Sequence, residues 1–136
     1  MFATAPAPVQ ASRQVDRAVL QDINQIRSQN GLGVVSENRR MDNGAKAHSR
    51  TMARTRTLSH GAFSRRVRRY ARSSTIGEII GYTAGYGRSQ AVSTVVRAWM
   101  QSGEHRAIML SGAFHRAGVG VARKGSRVFF TVDFAA

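Results

Sequence analysis

Two apolar runs at the C-terminal end of the chain limit the folds open to it. In residues 127–134, Val128, Phe130, Val132 and Phe134 occupy alternate positions. A period of two is typical of a strand that buries one face. Residues 118–123 form a second such run, and residues 124–126 (Lys-Gly-Ser) supply a turn between the two. The pattern predicts an antiparallel hairpin.

The segments before this hairpin mostly repeat with helical spacing. Val15, Val19, Ile23 and Ile26 lie four, four and three residues apart, which predicts a helix from Ser12 to about residue 29. Further helices are predicted over residues 38–55, 62–72, 89–101 and 105–110, and a strand over 76–82. Because helices come first and most of the sheet last, the predicted fold class is α+β.

The length of 136 residues fits one domain, which we expect to span residues 12–136. Residues 1–11 are small, rich in Pro and Ala, and without periodicity, so they are predicted to form a flexible tail or a linker. They lack the basic and apolar regions of an intact signal peptide and resemble what remains after one is cleaved. No apolar stretch reaches the roughly 18 residues of a membrane span.

The absence of cysteine excludes several kinds of site. Disulfide bridges, iron–sulfur clusters, thiolate zinc sites and a cysteine nucleophile all require this residue.

Positive charge dominates the composition, with 21 Lys and Arg against 7 Asp and Glu and a net charge of +14. No acidic residue lies between Asp42 and Glu78. Such a chain attracts polyanions, including nucleic acids, envelope polymers and anionic lipid headgroups, although a solvated surface alone also tolerates many arginines. The few nearby aromatic residues fit the buried face of a helix, so specific nucleic-acid binding is not expected. The predicted polyanion-binding patch comprises Arg65, Arg66, Arg68, Arg69 and Arg72.

Three residues far apart in the sequence are candidates for chemistry. Glu78 is the charged residue of an otherwise apolar segment, so its carboxylate needs either water or a hydrogen-bond donor, and histidine is a natural partner. His60 and His105 are the candidate histidines, whereas His48 is predicted to be a satisfied core residue. Two imidazoles and a carboxylate can hold a divalent metal such as Zn²⁺, share protons, or simply brace loops.

The order of short motifs resembles the bacterial branch of the CAP superfamily, which comprises the cysteine-rich secretory proteins, antigen 5 and the plant pathogenesis-related 1 proteins. Its domain is also called the SCP domain. The likeness covers residues 12–136. Its most specific part is Trp99-Met100-x-Ser102-x-x-His105-Arg106, followed thirteen residues after the histidine by Gly118-Val119-Gly120. The resemblance implies a three-layer α-β-α sandwich with a central antiparallel sheet and a cleft on one side.

The resemblance also implies a set of cleft residues. His60 matches the first cleft histidine of the family, Glu78 the carboxylate of its Gly-Glu-Asn signature, and His105 its second cleft histidine. Ser102 stands where many animal and plant members have a second glutamate, and Glu104 is an acid that could replace it. The expected ligand-binding cleft therefore contains His60, Glu78, His105, Ser102 and Glu104, with the first three as the metal ligands.

Three functions follow as hypotheses. The resemblance implies a secreted or cell-wall-associated binding domain, whose cleft takes a metal ion, a lipid, a glycan or an anionic group, with no established catalysis. A zinc-dependent hydrolase of peptidase or esterase type is the alternative, since bound zinc can activate water, although no HExxH or Gly-x-Ser-x-Gly motif supports it. The third is nonspecific polyanion or nucleic-acid binding through the arginines, which salt would weaken steeply.

Overall fold

A computed structural model describes the chain from residue 8 to residue 136, and its side chains from Arg13. Helix α1 begins at Pro8, so residues 8–11, which the sequence assigns to the tail, are helical, while residues 1–7 of that tail lie outside the described residues. The elements in order are α1 (Pro8–Gln29), β1 (Ser36–Glu37), α2 (Arg39–Thr55), α3 (Phe63–Ala71), β2 (Ile76–Ala84), α4 (Arg88–Gln101), α5 (Gly103–Met109), β3 (Arg116–Lys124) and β4 (Arg127–Ala135).

The predicted hairpin is confirmed and forms the centre of the sheet. Strands β3 and β4 pair antiparallel from Arg116–Ala135 to Lys124–Arg127, and residues 125–126 form the turn. Strand β2 pairs antiparallel with the other side of β4, which gives the order β1-β3-β4-β2. Across this sheet, Glu78 of β2 lies opposite Asp133 of β4, and Asp133 lies opposite Gly118 of β3.

Strand β1 adds one short parallel pair to the predicted central antiparallel sheet. Ser36 and Glu37 pair parallel with Arg116 and Ala117, so the sheet is mixed. A strand of two residues is too short to show an alternating pattern, and backbone hydrogen bonds alone define it. These include Ser36 N to the carbonyl of His115 and Asn38 N to the carbonyl of Ala117, both at 2.9 Å.

Helix α2 lies directly on one face of the sheet. A Cβ atom added to Gly118 would overlap Met41, and one added to Gly120 would overlap the backbone of Lys46, so only glycine permits this close approach. Ser49 uses the same contact to hydrogen-bond Thr131 Oγ1 and the carbonyl of Gly120, each at 2.7 Å. Helix α3 packs against α2 and β2 and extends this layer.

The larger hydrophobic core lies on the opposite face, beneath α1 and α4. The alternate residues Val128, Phe130, Val132 and Phe134 all point into it, as the period of two predicts. Trp99 of α4 packs edge-on against Phe130, and its Nε1 donates a hydrogen bond of 2.9 Å to the carbonyl of Ile80. The two helical layers and the intervening sheet make the predicted three-layer α-β-α sandwich.

Arg27 fastens the end of α1 to the segment that follows α5. Its side chain is fully buried and donates hydrogen bonds to the carbonyls of Gly33, Met109 and Ser111 at 2.8–2.9 Å. Several carbonyl dipoles thus stabilise a buried guanidinium, and burial lowers its pKa from the ordinary value. This connection fixes the C-terminal end of α5, the helix that carries His105. Among residues 8–136, no helix combines the length and apolar character needed to cross a bilayer.

Candidate functional site

The loop between α2 and α3 carries His60 to the sheet. Helix α2 ends at Thr55, and the next residue, Arg56, has a φ of 53° in the left-handed region, which turns the chain. His48, buried in the middle of α2 as predicted, donates from Nε2 to the carbonyl of Ser59 at 2.6 Å. Because this bond holds the residue before His60, the imidazole of His60 is directed toward strand β2.

Glu78 is the centre of a polar cluster on the α2 face of the sheet. Its carboxylate is completely buried and lies 2.9 Å from His60 Nδ1. Arg66 of α3 places Nη2 at 3.0 Å from Oε1 and 2.8 Å from Oε2. Asp133 lies opposite Glu78 on the neighbouring strand, and no N–H or O–H group of the described residues reaches either of its buried oxygens, so a hydrogen bond between the two carboxyl groups requires a proton on one of them. We call His60, Arg66, Glu78 and Asp133 the Glu78 cluster.

The Glu78 carboxyl remains ionised in this buried position. Burial by itself would raise its pKa, but the hydrogen bond from Asp133, the charge of Arg66 and the hydrogen bond from His60 together lower it below the ordinary value of 4.5. An ionised Glu78 accepts hydrogen bonds, so Nδ1 of His60 is the donor. In the neutral imidazole the lone pair of His60 is therefore on Nε2, and the side chain is half exposed.

Asp133 is a member of the cluster that sequence reasoning missed. Burial and the adjacent Glu78 raise its pKa well above the ordinary value of 3.8, despite an opposing effect of Arg66. Asp133 thus keeps its proton and donates it in the hydrogen bond to Glu78. The alternation of Val132 and Phe134 marks position 133 as facing away from the main core. It gives no sign that α2 and α3 cover that other face.

Arg66 has a different role from the other members of the predicted arginine patch. Its guanidinium binds the Glu78 carboxylate and also donates to the carbonyl of His60 at 2.7 Å. Its side chain is 19 % exposed. The four remaining arginines of the patch lie on the exposed side of α3 or at its C-terminal end: Arg65, Arg68, Arg69 and Arg72.

The structure joins His60 to Glu78 but gives His105 no bond to either residue. His105 lies in α5, where its buried Nδ1 has no hydrogen-bond partner among the described residues. Ser102 caps the start of α5 without a side-chain hydrogen bond, and Glu104 is exposed in the first turn. Ser102 and His105 make no hydrogen bond with each other among the described residues.

The predicted zinc ligands fit a metal only in part. Within residues 13–136, no group of three or more His, Asp or Glu side chains is arranged to hold a metal ion. Both oxygens of Glu78 already accept hydrogen bonds from Arg66. The chemistry of this set leaves His60 Nε2 as its available metal donor, with Glu78 as the carboxylate that orients the ring.

A second set of carboxyl groups lies where α1, β1 and α2 meet. Asp42 Oδ1 accepts a hydrogen bond of 2.9 Å from Val119 N, and the Asp42 carboxyl also hydrogen-bonds Glu37. Asp16 of α1 lies 3.3 Å from Nζ of Lys46, which donates to the carbonyl of Val121. We call Asp16, Glu37, Asp42 and Lys46 the Asp42 cluster.

Two carboxyl groups of the Asp42 cluster, those of Asp42 and Asp16, hold protons more tightly than usual. Burial, opposed in part by the Val119 N–H, raises the pKa of Asp42 to about 7, with further increases from Glu37 and Asp16. Burial likewise raises the pKa of Asp16 to about 6, although Lys46 opposes the change. Sequence reasoning missed this cluster because its acids belong to three different elements.

Solved structures from several organisms have the same fold. A Bacillus anthracis extracellular protein containing an SCP domain is 26 % identical with a TM-score of 0.73, and the match covers 97 % of this chain and 45 % of that one. An outer surface protein from Borrelia burgdorferi is 16 % identical with a TM-score of 0.72, over 90 % of this chain and 92 % of that one. The crystal structure of NaASP2 with Zn²⁺ is 14 % identical with a TM-score of 0.70, and the match covers 90 % of this chain and 80 % of that one.

The sequence comparison agrees with the fold. The chain spans less than half of the length of the B. anthracis protein. A comparison with curated proteins gives no match. The family model of the cysteine-rich secretory protein family, CAP, matches residues 20–134, which include the strands and both helical layers of the sandwich. This chain therefore belongs to the CAP family.

Proposed function

We propose that this chain is a binding domain of an extracellular or cell-envelope CAP protein and that helix α3 attaches it to anionic envelope polymers. The main support is the division of α3 into two faces. Val67 and Ala71 are buried against the domain, whereas Arg65, Arg68, Arg69 and Arg72 are exposed. Within the described residues, none of these four arginines has a carboxylate partner, so their guanidinium groups are available to a ligand.

The surrounding charges favour an anionic ligand. The nearest acid along the chain is Glu78, whose charge is buried and compensated by Arg66. The exposed arginines therefore keep their full attraction for phosphate or carboxylate groups, and each guanidinium can bind a phosphate in bidentate fashion. The extracellular and outer-surface proteins among the structural neighbours support an envelope location.

A binding assay with matched variants tests this proposal. We expect changing Arg65, Arg68, Arg69 and Arg72 to Gln to weaken binding to inorganic polyphosphate at least about tenfold at low salt, because four phosphate contacts are lost. The control changes Arg13, Arg17, Arg97 and Arg106 to Gln, which removes the same charge from exposed positions on α1, α4 and α5. Equal losses in the two variants would contradict a role for α3 beyond net charge.

Double-stranded DNA provides the second arm of this assay. Binding driven by phosphate contacts should fall steeply with salt and show no preference for sequence. Sequence-selective DNA binding that persists at physiological salt would overturn the proposal in favour of a nucleic-acid-binding protein.

Binding of a divalent metal at His60 is the second candidate function. Its support is the hydrogen bond from His60 Nδ1 to the buried Glu78. In the neutral ring this bond leaves the lone pair on Nε2 available to a metal ion, an arrangement common among metal-binding histidines. The NaASP2 structure with Zn²⁺ shows that a protein of this fold can be crystallised with the ion. A zinc ion bound at His60 would act as a Lewis acid there.

Calorimetric titration with zinc tests the metal candidate. We expect binding at pH 7.5 that is lost in His60→Ala, and lost near pH 5 because a protonated imidazole has no lone pair for the metal. A loss in His105→Ala as well would indicate that His105 is a second ligand. His115→Ala is the control, since His115 is exposed on the loop before β3. Equal heats in wild type and in all three variants would remove the candidate.

A further inference from the structure

One end of the sheet extends beyond the cover of α2. Helix α2 crosses the sheet from Gly118, which lies against Met41 at the start of the helix, to Phe129, which packs with Met52 near its end. The next row on this face, two residues further along each strand, is formed by Ala84, Arg127 and Lys124, which are opposite one another in the strand register. All three residues are exposed, so this row faces solvent.

Two exposed tyrosines lie at this end. The ring of Tyr82 stacks on Phe129 at a centroid distance of 5.9 Å and an interplanar angle of 27°, yet 52 % of Tyr82 is exposed. Tyr86 is 39 % exposed in the connection between β2 and α4. Gly85 N donates to the carbonyl of Ser126 at 3.0 Å, which holds this connection beside the β3–β4 turn.

The charged residues at this end are all basic. Lys124 and Arg127 flank the β3–β4 turn, and Arg88 begins α4 directly after the tyrosine-containing connection. No acidic residue occurs between Glu78 and Glu104 or between Glu104 and Asp133. Within the described residues these three cations have no carboxylate partner. We call Tyr82, Tyr86, Arg88, Lys124 and Arg127 the aromatic–basic end.

We propose that the aromatic–basic end docks on the surface of an anionic lipid bilayer. Tyrosine rings are favourable at the headgroup level of a membrane because one edge is apolar and the hydroxyl remains hydrated. Lysine and arginine beside them are attracted to anionic headgroups. A soluble polyanion would satisfy the cations but would give the two exposed rings no apolar region to enter.

This surface is separate from the arginines of α3, so the proposal does not rest on the proposed function. Tyr82 precedes the β2–α4 connection, whereas α3 packs beside Ile76 at the start of β2. The two surfaces therefore lie toward opposite ends of the same strand. A protein with both could contact a polymer and a bilayer through different residues.

Vesicle co-sedimentation tests the proposal with two variants and a control. With vesicles of phosphatidylglycerol and phosphatidylcholine, we expect Tyr82→Ser/Tyr86→Ser to lower binding several-fold. Arg88→Gln/Lys124→Gln/Arg127→Gln should lower it about tenfold or more. The control Arg13→Gln/Arg97→Gln/Arg106→Gln removes three charges from exposed positions elsewhere and should have a smaller effect. Circular dichroism checks that each variant is folded.

A fluorescence measurement tests insertion directly. In Tyr82→Trp the fluorescence emission of the new tryptophan should shift to the blue on vesicle binding, and brominated lipid should quench it. Wild-type Trp99 is only 2 % exposed and provides the baseline. Lack of quenching, or full vesicle binding by the double tyrosine variant, would overturn the bilayer proposal. The same double variant should bind polyphosphate like wild type, so this proposal and that for α3 can fail separately.

Discussion

The two carboxylate clusters lie toward opposite edges of the sheet and compensate buried negative charge differently. The Glu78 cluster, at strand β2, places a guanidinium across both oxygens of a fully buried carboxylate. The Asp42 cluster, where β1 meets β3, brings three carboxyl groups together with Lys46, which contacts Asp16 rather than Asp42. Glu78 stays ionised with a lowered pKa, whereas the pKa of Asp42 rises to about 7.

The difference shows that the placement of the cation decides whether a buried carboxyl keeps its charge. Arg66 forms charge-assisted hydrogen bonds directly with Glu78, which help to outweigh the cost of burial. Asp42 accepts a hydrogen bond from Val119 N but lies near two other acids, Glu37 and Asp16. Its carboxyl group therefore lowers the cost of its burial by taking up a proton. The first cluster should therefore depend on its cation and the second on pH.

The largest expected effect is that of removing the cation from the Glu78 cluster. Arg66→Met should lower the free energy of unfolding by about 3–5 kcal/mol, because it leaves a buried carboxylate without its ion-pair partner. Chemical denaturation at pH 8, where a carboxyl group is least able to take up a proton instead, gives this value.

Two further variants make this expectation specific. Arg66→Met/Glu78→Gln should recover most of the lost stability, since no buried charge then remains. Arg69→Met is the matched control on the exposed side of α3 and should change stability by less than about 0.5 kcal/mol. A loss in Arg66→Met no larger than in Arg69→Met would mean that Glu78 is not held as an ion pair.

Asp133 provides the next test, because it carries a proton within the otherwise charged cluster. Asp133→Asn should raise the free energy of unfolding by about 1–2 kcal/mol at pH 8 and have little effect near pH 4. The amide donates to Glu78 as the carboxylic acid does, but the folded state no longer has to take up a proton. Destabilisation at pH 8 would indicate that Asp133 is ionised in the native protein.

The contrast between the clusters also marks what the sequence can and cannot predict. The period-two and helical patterns predict the hairpin and the main helices, because burial of one face repeats along each element. The need of Glu78 for a donor follows from its apolar neighbours, and the structure supplies His60 as one. The role of Arg66 could not be predicted, because it lies among other arginines of α3 and the sequence does not distinguish it from those that are exposed.

Other parts of the site depend on contacts between distant elements. Asp133 and Glu78 become neighbours only through the pairing of β2 with β4, and nothing local to either residue encodes that register. The predicted inclusion of His105 rests on family likeness, and in the described residues its side chain makes no hydrogen bond to His60 or Glu78. Strand β1 and the Asp42 cluster likewise arise from tertiary packing.

Lys46 should matter less than Arg66, and its effect should depend on pH. Lys46→Met should cost about 1–2 kcal/mol at pH 8, where Asp16 is ionised and loses its partner. Near pH 5 the cost should shrink, because Asp16, with a pKa of about 6, takes up a proton instead. Urea denaturation at the two pH values measures the difference, and an equal cost at both would contradict the idea that a proton substitutes for the cation.

The smallest effect is the contribution of Asp42 to the pH dependence of stability. A carboxyl with a higher pKa in the folded than in the unfolded chain binds its proton more tightly in the folded state. Its contribution to stability therefore grows as the pH falls from about 7 toward the ordinary pKa of 3.8, and is lost as the pH rises through 7. Because Asp42 is only partly buried, we expect about 1 kcal/mol between pH 8 and pH 5.

Asp42→Asn isolates this contribution. The amide oxygen can still accept the hydrogen bond from Val119 N, and the amide group can donate to Glu37, so the local geometry is retained. Thermal unfolding followed at several pH values should show a shallower increase in stability on acidification than in wild type. Asp22→Asn, on the partly exposed side of α1, is the control and should leave more of the slope intact. If Asp42→Asn leaves the slope unchanged, the proton is not held at Asp42, and the two clusters do not differ in the way their pKa values imply.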